Sequence, residues 1–246
     1  MPLVFISHAA ADKEIAGQFQ KHLIGDFLGM CEVFVSSNLD SINAGQEWHQ
    51  AIKSKLATAD IVVGLLSPLA VTRGWVFVEF GAGWIRNIPT IPLCHSGLEP
   101  AHLPAPLNSF QGLMLSDAVH LEHLYGLVAK AVGCQPPNVD FAGRASGYKE
   151  ATFKVQMERG AVGWLRQLCL WNPDLLPKLA RGEADTDVLV PSIAEQNMVP
   201  FATDAVNLGM LTVNGRGMAM GTRVGASAGV YELVPLENFA TYAALL

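Results

Sequence analysis

The chain has 246 residues, half of them apolar, with 15% charged side chains and a formal net charge of −6. That is enough apolar material for one or two packed domains, and the charge is too sparse for a disordered tail or a coiled coil. The acidic balance, spread without basic blocks, argues against a nucleic-acid partner.

The four cysteines, Cys31, Cys94, Cys134 and Cys169, form no CxxC pair and fit no zinc spacing, so a reducing, cytoplasmic setting is expected. The first apolar run, Leu3–Ile6, is too short and lacks the basic flank of a signal peptide. Ile61–Val71 contains Pro68 and falls short of the roughly 20 residues a membrane helix needs, so no membrane span is expected.

In chain order, Leu3–Ser7 reads as a buried strand. Asp12 offers an N-cap, and Ile15, Phe19, Leu23 and Phe27 follow at helical spacing. Cys31–Ser36 is a second strand and Leu39–Gln46 a loop rich in turn-forming residues. Glu47–Thr58 is a helix with Trp48, Ile52 and Leu56 on one stripe. Ile61–Leu66 is the third and most apolar strand. Gly74–Arg86 is a helix, Ile88–Cys94 and Phe110–Leu115 are strands, and Ser116 caps a helix running to about Val132. This alternation predicts an α/β fold: a parallel sheet with helices on both faces. Ligand crevices in such sheets lie beyond the carboxyl ends of the strands, so the loops after Ser7, Ser37 and Ser67 converge on one rim.

Residues 134–147 hold Pro136-Pro137 and few large apolar side chains, and read as a linker. Beyond them, Phe153, Met157, Ala161, Trp164 and Leu168 mark a long helix, and a shorter one starts near Asp174. Pro200–Leu211 reads as a helix with Pro in its first turn, and Thr212–Val234 as a Gly-rich hairpin. A second, smaller α+β domain over 148–246 is expected.

One residue in this pattern is out of place. Glu79 is the only ionisable side chain in Gly74–Ile85, a stretch of Trp, Phe and Val. Burying a carboxylate there is costly unless a partner or a function uses it. Two readings stand at this point: a functional acid, or a salt bridge to Arg73 or Arg86 at the helix ends.

Four blocks resemble a Toll/interleukin receptor (TIR) domain over roughly the first 130 residues. They are Val4-Phe5-Ile6-Ser7-His8; Val33-Phe34-Val35 with Ala44-Gly45-Gln46-Glu47-Trp48; Asp60 to Ser67 with Pro68; and Trp75-Val76-Phe77-Val78-Glu79-Phe80-Gly81-Ala82. The resemblance implies a flavodoxin-like parallel sheet over 1–133. It places Glu79 where the enzymatic members of the family carry their catalytic glutamate. Those members cleave the nicotinamide–ribose bond of NAD, releasing ADP-ribose or a cyclic isomer, and in prokaryotes often serve antiphage defence. Adaptor-type members lack the activity and act as scaffolds that recruit partners through TIR–TIR contacts.

NAD would be the substrate, and neither a prosthetic group nor a metal is implied. Departure of neutral nicotinamide leaves positive charge on the ribose, and one fixed carboxylate beside it stabilises that oxocarbenium ion. Ala82 and Gly83, one turn beyond Glu79, leave its face open to such a ligand. Trp75, one turn before it, shares its face and is a candidate wall of the pocket. His8 and Ala9, in the turn after the first strand, occupy the nucleotide-contacting position, although Ala9 and Ala10 depart from the larger side chains of many relatives. Asn43 stands where some enzymatic relatives have a carboxylate. Trp48 is a binding candidate and also sits on an apolar stripe; Trp84 is expected in the core. The family pattern further implies that the loop at Leu39–Gln46 completes the pocket of a neighbouring subunit, making a homo-oligomer or filament the active form.

Other motifs fail. His120 and His123 are read as having no Asp or Cys partner at ligand spacing, Gly81-Ala82-Gly83 is not a dinucleotide fingerprint, and GxSxG is absent. The second domain vaguely resembles a winged helix, through Ala205–Leu211, the hairpin and Tyr231-Glu232-Leu233. Residues 151–246 carry seven Lys/Arg against nine Asp/Glu, so self-association, or an activating ligand or partner, is expected there rather than DNA.

Overall fold

In the computed structural model of the chain, the described residues are 1–36, 48–222 and 224–243. They form two compact units, divided between Thr152 and Phe153. The expected loop at Leu39–Gln46, with Asn43, lies outside the described residues.

The first unit contains β1 (Leu3–His8), α1 (Lys13–Asp26), β2 (Glu32–Val35), α2 (Trp48–Thr58) and β3 (Ile61–Leu66). These are followed by α3 (Gly74–Ile85), β4 (Thr90–Cys94), β5 (Leu113–Met114) and α4 (Ala118–Val132). All four strand pairings are parallel, in the order β2-β1-β3-β4-β5. The α/β class expected from the alternation is therefore observed. Strand order reverses at β1, whose neighbours are β2 on one side and β3 on the other. In a doubly wound sheet this switch point opens the ligand crevice, beyond the carboxyl ends of β1 and β3.

Alternation along β1 sorts its side chains. Leu3 and Phe5 pack with Ile52 and Leu56 of α2 and with Val62, and Ala82 of α3 lies against the same cluster. Ser7 shares their parity and so faces the same side. Two glycines bring α3 close to that side. A Cβ on Gly64 would lie 2.1 Å from Cε2 of Phe80, and one on Gly83 would lie 2.4 Å from Oγ1 of Thr90. Gly83 therefore faces the sheet; its missing side chain admits the strands rather than a ligand, which corrects the sequence expectation. Trp84 is exposed, not in the core: its neighbour Gly83 takes the inward position.

Asp117, rather than Ser116, caps α4, accepting the His120 N–H at 2.9 Å. Gly133, at φ 79°, closes that helix in the left-handed conformation that glycine adopts without strain. The expected linker at 134–147 is helical from its midpoint, because α5 spans Phe141–Trp171. Three contacts hold its first turns to the first unit. Phe141 stacks edge-on against Tyr125, Arg144 pairs with Asp26 at 3.0 Å, and the buried Tyr148 shares its hydroxyl with His22 at 2.6 Å.

In the second unit, α5 is followed by α6 (Leu175–Ala180), β6 (Asp185–Pro191), α7 (Ser192–Asn207), β7 (Leu211–Thr222), β8 (Gly225–Pro235) and α8 (Phe239–Ala243). The strands form an antiparallel sheet in the order β6-β8-β7. Trp164, Leu165 and Leu168 of α5 share a core with Leu175, Val188, Ala205, Leu211, Leu233 and Phe239. The β7–β8 hairpin follows the sequence expectation, whereas β6 is additional. Its polar opening Asp185-Thr186-Asp187 obscures the alternation; Lys178 pairs with Asp185 at 3.0 Å, and Asn172 holds the Leu189 backbone on both sides. Helix α7 begins eight residues before the expected start, leaving Pro200 inside it.

Gly64→Ala should destabilise the first unit by about 1–3 kcal/mol, because the buried Phe80 ring must shift to admit a methyl group. Urea unfolding of the full chain, monitored for this variant beside the wild type, measures the loss.

Candidate active site

The carboxyl edge of the first sheet is unusually polar for a buried surface. Ser7 and His8 end β1, Ser36 follows β2, Ser67 follows β3, and His95 and Ser96 follow β4; all are buried. Asp12 joins them from the turn after β1, and Glu79 from the middle of α3. Buried polar groups need partners, so each bond here matters.

Glu79 is 1% exposed. The Ser7 hydroxyl donates to its Oε2, while Oε1 has no hydrogen-bond partner among the described residues. Neither arginine at the helix ends neutralises it. Arg73 is exposed, and Arg86 is spent on backbone carbonyls, reaching Ala59 O at 2.8 Å. Burial pushes the Glu79 carboxyl from its ordinary 4.5 up to about 7; the Ser7 hydroxyl, and then the Trp75 indole, oppose that rise. The acid is therefore a buried carboxyl balanced between its two forms near neutrality, with no described counter-ion.

His8 donates from Nδ1 to the Ala9 carbonyl at 2.6 Å, and its Nε2 has no partner among the described residues. Burial holds the ring below the usual histidine value, so it is neutral at pH 7 and Nε2 is an acceptor. Asp12, expected as a helix cap, makes no such bond to α1. Its carboxylate instead accepts the Ser67 hydroxyl at 2.7 Å, and Ser67 Oγ accepts the Ala70 N–H at 3.1 Å. This chain of bonds ties the turn after β1 to the turn after β3, across the switch point.

The predicted site residues divide accordingly. Glu79 and His8 are both buried at the rim, and Trp75 lies beside the acid while remaining 37% exposed. Trp75 also lines a groove of about 450 Å³ between α2 and α3, with Ile52, Leu56, Val78 and Ile85. Ala9 is buried and belongs to an apolar cluster with Leu66, Ala70 and Phe80. Trp48 opens α2, but its side chain lies outside the described residues, as does Asn43. The sequence reading gave Ser7 no chemical role, and the signal for one was its parity with Leu3 and Phe5. His120 is engaged locally: its Nδ1 accepts the Met114 N–H at 3.1 Å. Among the described residues no group of His, Cys, Asp and Glu could hold a metal ion.

A five-stranded parallel sheet in this order, with a buried carboxyl at its switch point, defines a flavodoxin-like unit. Residues 4–125 match the family model of the TIR domain, so the first unit carries a TIR domain. Comparison with curated proteins gave no match. No helix among the described residues is long and apolar enough to cross a membrane.

The raised value of Glu79 makes stability pH-dependent. A carboxyl that holds its proton more tightly when folded adds stability that is complete below about 4.5 and is lost as pH rises through about 7. Glu79→Gln removes this dependence. Across that window the wild type should lose on the order of 3 kcal/mol relative to the variant, read from paired denaturant titrations at each pH.

Proposed function

We propose that the protein is a TIR-type NAD glycohydrolase or cyclase that cleaves the nicotinamide–ribose bond with Glu79 as its catalytic carboxylate. The observation that carries this reading is the burial of Glu79 at the switch point, with one oxygen held by Ser7 and the other without a described partner. A carboxylate that is structural only is ordinarily paired, because an uncompensated buried charge is destabilising. One that must stabilise a developing cation is better left uncompensated. In this reading Oε1 faces the ribose as nicotinamide leaves, and either water or a second position of the ADP-ribose takes the anomeric carbon. Trp75 walls the pocket and His8 Nε2 accepts from the ligand; Asn43 and Trp48 remain candidate contacts of this reading outside the described side chains. Ala9 contributes through its backbone.

Assembly is the second element of the proposal. TIR domains commonly self-associate, and α3 exposes Val78, Trp84 and Ile85 beside Trp75. Such a stripe suits a second copy of the chain. The second unit would act as a winged-helix-type regulatory or oligomerisation module that takes an activating ligand or partner. Its sheet and hairpin support that assignment, and its negative balance disfavours nucleic acid. A cytoplasmic setting follows from the role, and depletion of NAD or release of a cyclic signal suits antiphage defence.

The rival reading, a TIR scaffold without activity, draws on Ala9, whose small buried side chain offers a ligand nothing beyond its backbone. Chromatography of the products after incubating the concentrated full chain with NAD separates the two. The enzyme should release nicotinamide together with ADP-ribose or its cyclic isomer, and Glu79→Ala should reduce this at least about a hundredfold. Absence of nicotinamide from the wild type in every assembly state would establish the scaffold.

A further inference from the structure

The polar groups that act on Glu79 are uncharged, and the one from another element, the Ser7 hydroxyl, holds Oε2. The Ser7 hydroxyl belongs to a strand hydrogen-bonded on both sides, with Ser7 itself in register with Gly64 of β3. It is fully buried and cannot exchange Glu79 for water. The approach of α3 to this strand is set by backbone: the Phe80 ring rests where Gly64 has no side chain, and Thr90 rests where Gly83 has none. Donor and acceptor therefore meet through two rigid elements rather than through long, adjustable side chains.

The chemistry of the donor matters as much as its position. An arginine or lysine at Ser7 would fix the carboxylate more strongly but cancel its charge, the property a cation-stabilising acid needs. A hydroxyl donates to one oxygen, leaves the net charge intact, and can turn to accept when the carboxyl is protonated. Among the described residues, the polar groups acting on Glu79 are the Ser7 hydroxyl from β1 and the Trp75 indole from its own helix; no described ion pair includes it.

We propose that Ser7 is the positioning residue for Glu79: its hydroxyl holds Oε2, so that Oε1 is presented at the switch point in one orientation with its charge undiminished. The proposal rests on Glu79 being the reactive carboxylate, and it makes a statement about that carboxylate that can be read without NAD.

The test uses the full chain as wild type, Ser7→Ala, Ser7→Cys and Ser7→Thr. The Glu79 carboxyl band is followed by infrared titration and assigned by its absence in Glu79→Gln. Loss of the donor in Ser7→Ala should raise the protonation midpoint of Glu79, and Ser7→Cys, which keeps the volume with a weaker donor, should raise it by less. In NAD turnover, Ser7→Ala should lower kcat about ten- to hundredfold at neutral pH with KM little changed, and part of the loss should return as pH rises. Ser7→Thr restores a hydroxyl and should bring both midpoint and kcat back towards the wild type. An unmoved midpoint in both Ala and Cys variants overturns the proposal, whichever of the two folds better. A moved midpoint in a wild type and variant series that never cleaves NAD leaves the Ser7–Glu79 coupling standing and overturns the enzymatic reading instead.

Discussion

The constraint on which this architecture turns is the burial of one carboxyl without a described counter-ion. Removing Glu79 from water penalises its charged form, and the Ser7 hydroxyl, with the Trp75 indole, offsets only part of that penalty. The rest must come from surrounding packing. Phe5, Val62, Phe80 and the tight seat of α3 on Gly64 and Gly83 supply it: side chains of this size contribute roughly 1.5–3 kcal/mol each when buried. A stable sheet thus carries a group that is costly to bury.

Much of the first unit is written in its apolar periodicity. Strands such as Ile61–Leu66 are continuous apolar runs because both faces of the sheet are covered, and the helix over Lys13–Asp26 repeats Ile15, Phe19 and Leu23 at its own period. Glu79 stood out for the same reason, as an interruption in an otherwise greasy helix. What the pattern hid was direction. Trp84 and Gly83 are adjacent, and nothing in their order says that the glycine takes the inward position; the close approach of Thr90 decides it. Ser7 was similarly silent, since a serine at the end of a strand is ordinary until the residue it faces is known.

The end of the first unit and the second unit were harder to read because their signals are mixed. The segment at 134–147 has the Pro and Gly content of a linker, yet Phe141, Arg144 and Tyr148 each find a specific partner, and tertiary contacts override weak local propensity. Pro200 suggested a helix start because proline suits a first turn. In α7 it lies in mid-helix, where the missing N–H costs one backbone bond, and the apolar contacts of Met198, Ala202 and Ala205 with the second core hold the helix together around it. Strand β6 lacked alternation because its opening residues form an ion pair and turn contacts rather than a half-buried face.

The polar rim has a selective consequence. Most of its hydrogen-bonding capacity is already satisfied internally: Ser67 is occupied by Asp12 and Ala70, and His8 Nδ1 by a carbonyl. Two of the buried atoms without a described hydrogen-bond partner, Nε2 of a neutral His8 and Oε1 of Glu79, both accept and cannot donate when the acid is ionised. A guest that met these two atoms with the acid ionised would satisfy them with hydroxyl or amide hydrogens. One presenting only lone pairs would leave both stranded, a cost set by hydrogen polarity rather than by shape.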